Sequence, residues 1–227
     1  MSNELREAEF LNDVERHEMH ILRDDGVYRH IRFKRPGTGC MHFDLITWPG
    51  YLCYAGDMGH YLFRRLNDMF EFFRTDREHG RRRGDLRLAV NLPYWAEKLE
   101  AVDGNRHHSG AMEYSEAKLR AYVNETRMRW IRDARAEQLL SGKERRSLWE
   151  EVDHEVLSRI DDDGEEAAYI ALRDFRWIPK RGHCAPEYEF TDFWEIEFKQ
   201  YTHRFQWCCF ALAWGIEQYD SAAEIAL

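Results

Sequence analysis

The chain has little of what usually announces a function. Its five cysteines are an odd number with no CxxC pair, so neither a disulfide framework nor a zinc ribbon is written into it, and free thiols in a reducing compartment are expected. No apolar run approaches the ~20 residues of a membrane helix. The opening MSNELREAEF lacks the apolar stretch of a secretory signal, and these two absences point to the cytoplasm. The glycines between 37 and 59 fit neither phosphate-loop pattern, and Ser147 and Ser158 lack the glycine frame of a nucleophile elbow. Glu151-x-x-His154 has no second copy to complete a di-iron helix pair. If Gly164 were the sixth residue of an EF-hand loop, Arg159 would be the first and Ile170 the twelfth, and neither is a calcium ligand. No cofactor and no metal site is expected. An excess of base is missing too: 42 acidic residues face 33 basic ones, a net charge of −9, which argues against a general nucleic-acid binder.

Aromatic residues are abundant. Eight Trp, 11 Tyr and 13 Phe in 227 residues supply enough buried surface for one large domain or two small ones. Charge is unevenly spread: residues 1–22 sum to −4, residues 23–90 to +4 and residues 91–227 to −9. A mildly basic N-terminal module followed by an acidic one is the simplest division. The boundary falls in Glu78–Arg87, EHGRRRGDLR, giving a module at 1–77, a basic linker at 78–90 and an acidic helical module at 91–227.

The spacing predicts an amphipathic helix over 3–20, a turn at Asp24-Asp25-Gly26, and strands at Val27–Phe33, Cys40–Trp48 and Tyr51–Asp57. If Pro49-Gly50 is a two-residue hairpin loop, Trp48 faces Tyr51, Ile46 faces Cys53, Asp44 faces Ala55 and His42 faces Asp57. One sheet face then carries Met41, Phe43, Leu45, Leu52, Tyr54 and Met58, and a helix from Gly59 to Phe73 covers it. A short strand at Leu86–Val90 follows, and Asn91 caps a helix with Pro93 in its first turn. Helices are expected over about 112–140, from a Ser141/Glu144 capping box to the stop at Asp161–Gly164, and over 165–175. Near the end of the chain stands TDFWEIEFKQYTHRFQWCCFALAWGIEQYD, read as one long central helix over Thr191–Asp220; the alternation in Glu187–Phe198 leaves a strand there as the alternative. The expected class is α+β: a small N-terminal antiparallel meander with one helix, packed on a C-terminal helical bundle.

Two clusters qualify as sites. His42, Asp44 and Asp57 share the polar sheet face in the hairpin register, and a histidine beside carboxylates is the chemistry of a general base or a hard-metal site. Arg81, Arg82 and Arg83, flanked by Gly80 and Gly84, have the charge and backbone access to hold phosphates, although acids around them dilute that charge.

The stretches LRDDGVYRHIRFKRPGTGCMHFDLITWPGYLCYAGDMGHYLFRRLNDMFEFF, residues 22–73, and HRFQWCCFALAWGIEQYD, residues 203–220, resemble a group of uncharacterised accessory proteins of tailed phages and prophages. The resemblance covers about a third of the chain and implies a protein made in the cytoplasm of an infected bacterium, with no catalytic residue carried over. With no enzyme motif surviving, the expected function is non-enzymatic binding of a host protein or protein–nucleic-acid complex, in particular inhibition of bacterial defence in the manner of an anti-CRISPR. The alternatives are a nucleic-acid-processing or nucleotide-modifying enzyme using His42, Asp44 and Asp57, and a non-catalytic nucleic-acid-binding module using Arg81–Arg83.

Overall fold

Burial alternates residue by residue along three successive strands. β2 (Tyr28–Lys34) buries Ile31 and Phe33, β4 (Tyr51–Gly56) buries Leu52 and Tyr54, and β5 (Gly59–Arg64) buries Tyr61 and Phe63, the period that puts one face of a sheet in a core. With β1 (Glu18–Asp25), β3 (Phe43–Trp48) and β6 (Leu99–Val102) they form a six-stranded antiparallel sheet in meander order. The computed structural model describes residues 5–75, 88–103, 110–180 and 185–225, without the side chains of 161–163. The chain is α+β: this sheet with its helix is followed by a helical region.

The β3–β4 hairpin has the register expected of Pro49-Gly50. Trp48 pairs with Tyr51, Ile46 with Cys53 and Asp44 with Ala55, and Gly50 takes the positive φ of +85° that the tight turn requires. The predicted core face is the real one: Phe43, Leu45, Leu52 and Tyr54 are fully buried.

Close-range contacts divide the chain into two units, residues 1–113 with 201–227, and residues 114–200. The chain leaves the first unit within β7 (Met112–Tyr114) and re-enters it within β10 (Lys199–Tyr201). This division differs from a boundary at 78–90, because the last helix returns to the N-terminal sheet.

That helix, α7 (His203–Ile225), is the cover of the first unit's core. Residues 205–217 are buried all round, as a helix enclosed by protein must be. Its Gly215 lies against Leu45 and Phe33. α1 (Glu7–Val14) seals α7 from the far side, where the Phe10 ring meets Trp207, Phe210 and Trp214 at 5.0, 5.7 and 6.3 Å. The Trp207 indole N–H donates to Asp13 at 3.0 Å, and the Gln206 amide oxygen accepts the Leu5 N–H. Each such aromatic burial is worth about 1.5–3 kcal/mol. α2 (69–75) and α3 (Leu92–Ala96) close one side, with Phe73 edge-on to Trp95 at 4.7 Å. Asn91 caps α3 as expected, its side chain accepting the Tyr94 N–H.

A charged lattice fixes α7 to the sheet. Arg29 makes a two-pronged pair with Asp68, both distances 2.9 Å, and lies over the Phe70 and Tyr219 rings. The Tyr219 hydroxyl donates to Asp24 at 2.9 Å, and Arg74 pairs with Asp220 at 2.6 Å.

In the second unit, α4 (Glu116–Ala136) starts at Ser115, whose side chain accepts the Lys118 N–H. α5 (Gly142–Val152) starts at the Ser141/Glu144 capping box expected of it. A π turn at Asp153–Leu157 leads into α6 (Ser158–Asp174), in which Gly164 (φ 78°, ψ −165°) is not helical, so two helices meet at a break where the stop at Asp161–Gly164 is expected. Leu148, Val152, Val156, Ile160, Ala168, Leu172 and Phe175 pack inward against Phe190, Phe193 and Phe198. Trp149 is only half-buried and carries the Arg127 guanidinium 3.6 Å above its ring.

Several expectations are corrected. Residues 18–20, expected as the end of a helix over 3–20, and Asp24-Asp25, expected in a turn, belong to β1, a charged edge strand exposed along most of its length. The helix expected over 59–73 is β5 followed by α2: Tyr61, Leu62, Phe63, Leu66, Met69 and Phe70 satisfy both periods, and pairing to β4 decides for the strand. Residues 88–90 are turn and coil instead of strand. The single helix over 191–220 does not form. Asp192 is left-handed (φ 56°), Phe193–Glu195 is one 3-10 turn, and α7 begins only after Thr202, whose hydroxyl accepts the Phe205 N–H at 3.2 Å. Nor does the strand alternative extend the main sheet: β9 (Tyr188–Glu189) pairs only with β8 (Arg176–Trp177). No helix among the described residues is long and apolar enough to cross a membrane.

Candidate functional site

The outer face of the sheet, opposite α7, is where the predicted residues fall. Strand pairing sorts it into transverse rows. One row runs His20, Arg32, Asp44, Ala55, His60; the next runs Arg23, His30, Ile46, Cys53, Leu62, Ala101; a third holds Trp48, Tyr51 and Arg64.

The predicted cluster of His42, Asp44 and Asp57 divides into two. Asp44, 7% exposed, belongs to β2 partners that the sequence reading missed: Arg32 donates through Nε and a terminal nitrogen to its two oxygens, both at 2.8 Å, and His30 Nε2 donates at 2.8 Å. Burial alone raises the Asp44 carboxyl, but the hydrogen bonds and charges of Arg32 and His30 outweigh it and hold the group below the usual carboxylate range. The signal was present as His30-x-Arg32, two alternate residues that the observed register, with Arg32 opposite Asp44 and His30 opposite Ile46, sets beside Asp44.

His42 and Asp57 do meet, as the hairpin register requires. His42 Nδ1 donates to the Gly39 carbonyl at 2.7 Å and lies 3.1 Å from Asp57 Oδ1, while Asp57 Oδ2 accepts the Met41 N–H at 2.6 Å. The pair is well exposed, at 38% and 41%. Its hydrogen bonds pin Met41 at a positive φ of 57° and so shape the β2–β3 connection. Among the described residues no serine, threonine or cysteine side chain hydrogen-bonds to His42, and no group of three or more His, Cys, Asp or Glu side chains is placed to hold a metal ion. A cavity of about 340 Å³ nearby is lined by Asp13, His17, Arg35, Thr38, Cys40 and Met41; His17 Nε2 is spent on the Met41 carbonyl at 2.9 Å.

Cys40 is exposed, whereas Cys208 and Cys209 are fully buried in α7, where burial pushes both thiols far up and makes them inert packing groups. Arg81, Arg82 and Arg83 lie outside the described residues. Comparison of the chain with protein-family models, with curated proteins and with solved structures returns no match.

Proposed function

We propose that the chain is a non-enzymatic phage protein that binds a macromolecule of the bacterial host and inhibits host defence, as an anti-CRISPR does. The observation that supports a binding role most directly is on the outer sheet face. Asp44, the best buried of the three predicted catalytic groups, has both oxygens committed to Arg32 and His30. Beside it Ile46, Trp48, Tyr51, Cys53 and Leu62 stand half-buried, a surface suited to contact more than to proton transfer. The resemblance of residues 22–73 and 203–220 to phage accessory proteins supplies the host context.

A tagged protein expressed in the host tests this. Recovery of a defence nuclease or its guide complex, together with protection of an unrelated phage in a plaquing assay, is the expected outcome. Recovery of no defence component and unchanged plaquing overturns it.

The His42–Asp57 hydrogen bond favours one second reading, a general base for nucleic-acid processing. On that reading His42→Ala abolishes a nuclease or nucleotide-modifying activity that the wild type possesses; on the preferred one the two proteins are alike in every such assay.

A further inference from the structure

Across the hairpin end of the outer face the side chains follow an order that the apolar strip alone does not require. Arg23 of β1 lies 5.1 Å from the centre of the Tyr28 ring. On β3 and β4, Trp48 and Tyr51 stack 5.3 Å apart with their planes 19° from parallel, and Arg64 of β5 lies 5.3 Å from the Tyr51 ring. The register that pairs Arg29 with Thr47 sets Tyr28 one residue on, alongside Trp48. From β2 to β5 the order is therefore ring, ring, ring, cation; on β1 the residue opposite Tyr28 is Asp25, and Arg23, opposite His30 in the next row, reaches the Tyr28 ring diagonally, the five strands spanning roughly 19 Å at ~4.8 Å per strand. Tyr28 is 43% exposed, the Arg23 side chain 58%, and Arg64 is exposed.

We propose that this row binds single-stranded nucleic acid, with unpaired bases stacking on Tyr28, Trp48 and Tyr51 and phosphates meeting Arg23 and Arg64. The inference rests on the binding role proposed above and names the class of polymer this face takes. Three arguments select the occupant. Bases and guanidinium-bracketed rings are complementary in shape and charge, and base–aromatic stacking contributes about 1–3 kcal/mol per base. With a net charge of −9 and two arginines at the rings, the electrostatic share is small, so a duplex, whose ring faces are hidden, gains little here. β2, β3 and β4, which carry the three rings, are each paired on both sides, so an extended peptide finds no backbone edge at the rings, and the nearest it could add to is β1, beside Arg23. Asp25 accepts from Arg23 at 3.3 Å, but an exposed pair of this kind is weak in water and yields to phosphate.

Fluorescence anisotropy of a labelled 12-residue oligothymidylate, with the full chain and a duplex of equal length as competitor, tests the proposal. At 50 mM salt the single strand is expected to bind and the duplex to compete poorly. Trp48→Ala/Tyr51→Ala should weaken binding at least tenfold, while Trp48→Phe, which keeps a ring and guards against misfolding, stays within about threefold. Arg23→Ala/Arg64→Ala should flatten the slope of log affinity against log salt by about 1.4, from ~0.7 per phosphate contact. The proposal is overturned by absence of binding at 50 mM salt, by equal competition from duplex, or by an unchanged affinity in a Trp48→Ala/Tyr51→Ala protein that melts like wild type. If the oligonucleotide fails while the tagged protein still recovers a defence component, the partner meets this face as protein, and only the present inference falls. If the oligonucleotide binds while plaquing is unaffected, the inference holds and the defence role falls.

Discussion

Gly215 of α7 lies so close to Leu45 of β3 that a Cβ built on it would stand 2.9 Å from Leu45 Cδ1, with the Phe33 ring at 3.1 and 3.2 Å. The helix meets the sheet backbone to side chain at this point, with nothing between, and both opposing side chains are fully buried. Glycine costs about 1 kcal/mol against alanine in a helix interior, a cost offset here by the approach it permits.

Substituting Gly215 therefore runs against the usual gain from filling a helix. Gly215→Val is expected to destabilise the protein by about 1–3 kcal/mol through overpacking. A double-mutant cycle with Leu45→Ala should show coupling of the opposite sign, because the smaller side chain vacates the space. Urea unfolding of the four proteins measures both; an additive cycle would show that the contact is not tight.

Asp44 carries a pH signature. Its folded pKa lies below the ordinary value, so its contribution to stability is complete above the unfolded carboxylate pKa of about 3.9 and is lost as pH falls through the lower folded value. Stability measured from pH 6 down to pH 2 should fall less steeply for Asp44→Asn than for wild type. Parallel curves would mean that the Arg32 and His30 contacts do not persist in solution.

Arg29 and Asp68 are 9% and 16% exposed as side chains, so removing one leaves the other charged and poorly solvated. Arg29→Ala should cost about 3–5 kcal/mol, more than Arg29→Ala/Asp68→Ala costs relative to Asp68→Ala alone. Thermal melts of the three variants decide it.

The capping box at Ser141 makes a smaller and local prediction. Ser141→Ala removes the acceptor for the Glu144 N–H and should cost about 1 kcal/mol. Hydrogen exchange is expected to quicken in the first turn of α5 and to stay as it is in the sheet; a uniform change would refute the local role.

How much of this could be read in the residues varies with how local the cause is. Pro49-Gly50 dictates a two-residue turn, so the pairing of Trp48 with Tyr51 and the meeting of His42 with Asp57 followed from the turn alone. The Ser141/Glu144 and Asn91 caps are equally local. β5 was hidden because Tyr61 and Phe63 repeat at two while Leu62, Leu66 and Phe70 repeat at four, and only the neighbouring β4 chooses between them. β1 was hidden because a strand exposed along most of its length has no alternation to show. The start of α7 has a signal in Thr202, the capping residue, but the apolar spacing from Trp194 to Phe205 carries straight through it. At the candidate site, the hairpin register gathered Asp44 with His42 correctly by face. It could not say that β2 would lie alongside and give Asp44 to Arg32 and His30.

The route of the chain has a consequence for its synthesis. The strands of the sheet leave the ribosome early, but the helix that covers them, α7, is made only after the whole of 114–200 has been translated. Until then Phe33, Phe43, Leu45, Tyr54 and Phe63 face water on a nascent chain, so the first unit must wait for α7 to fold. Residues 114–200, whose elements are contiguous, have no such delay and can be folded before the sheet is closed.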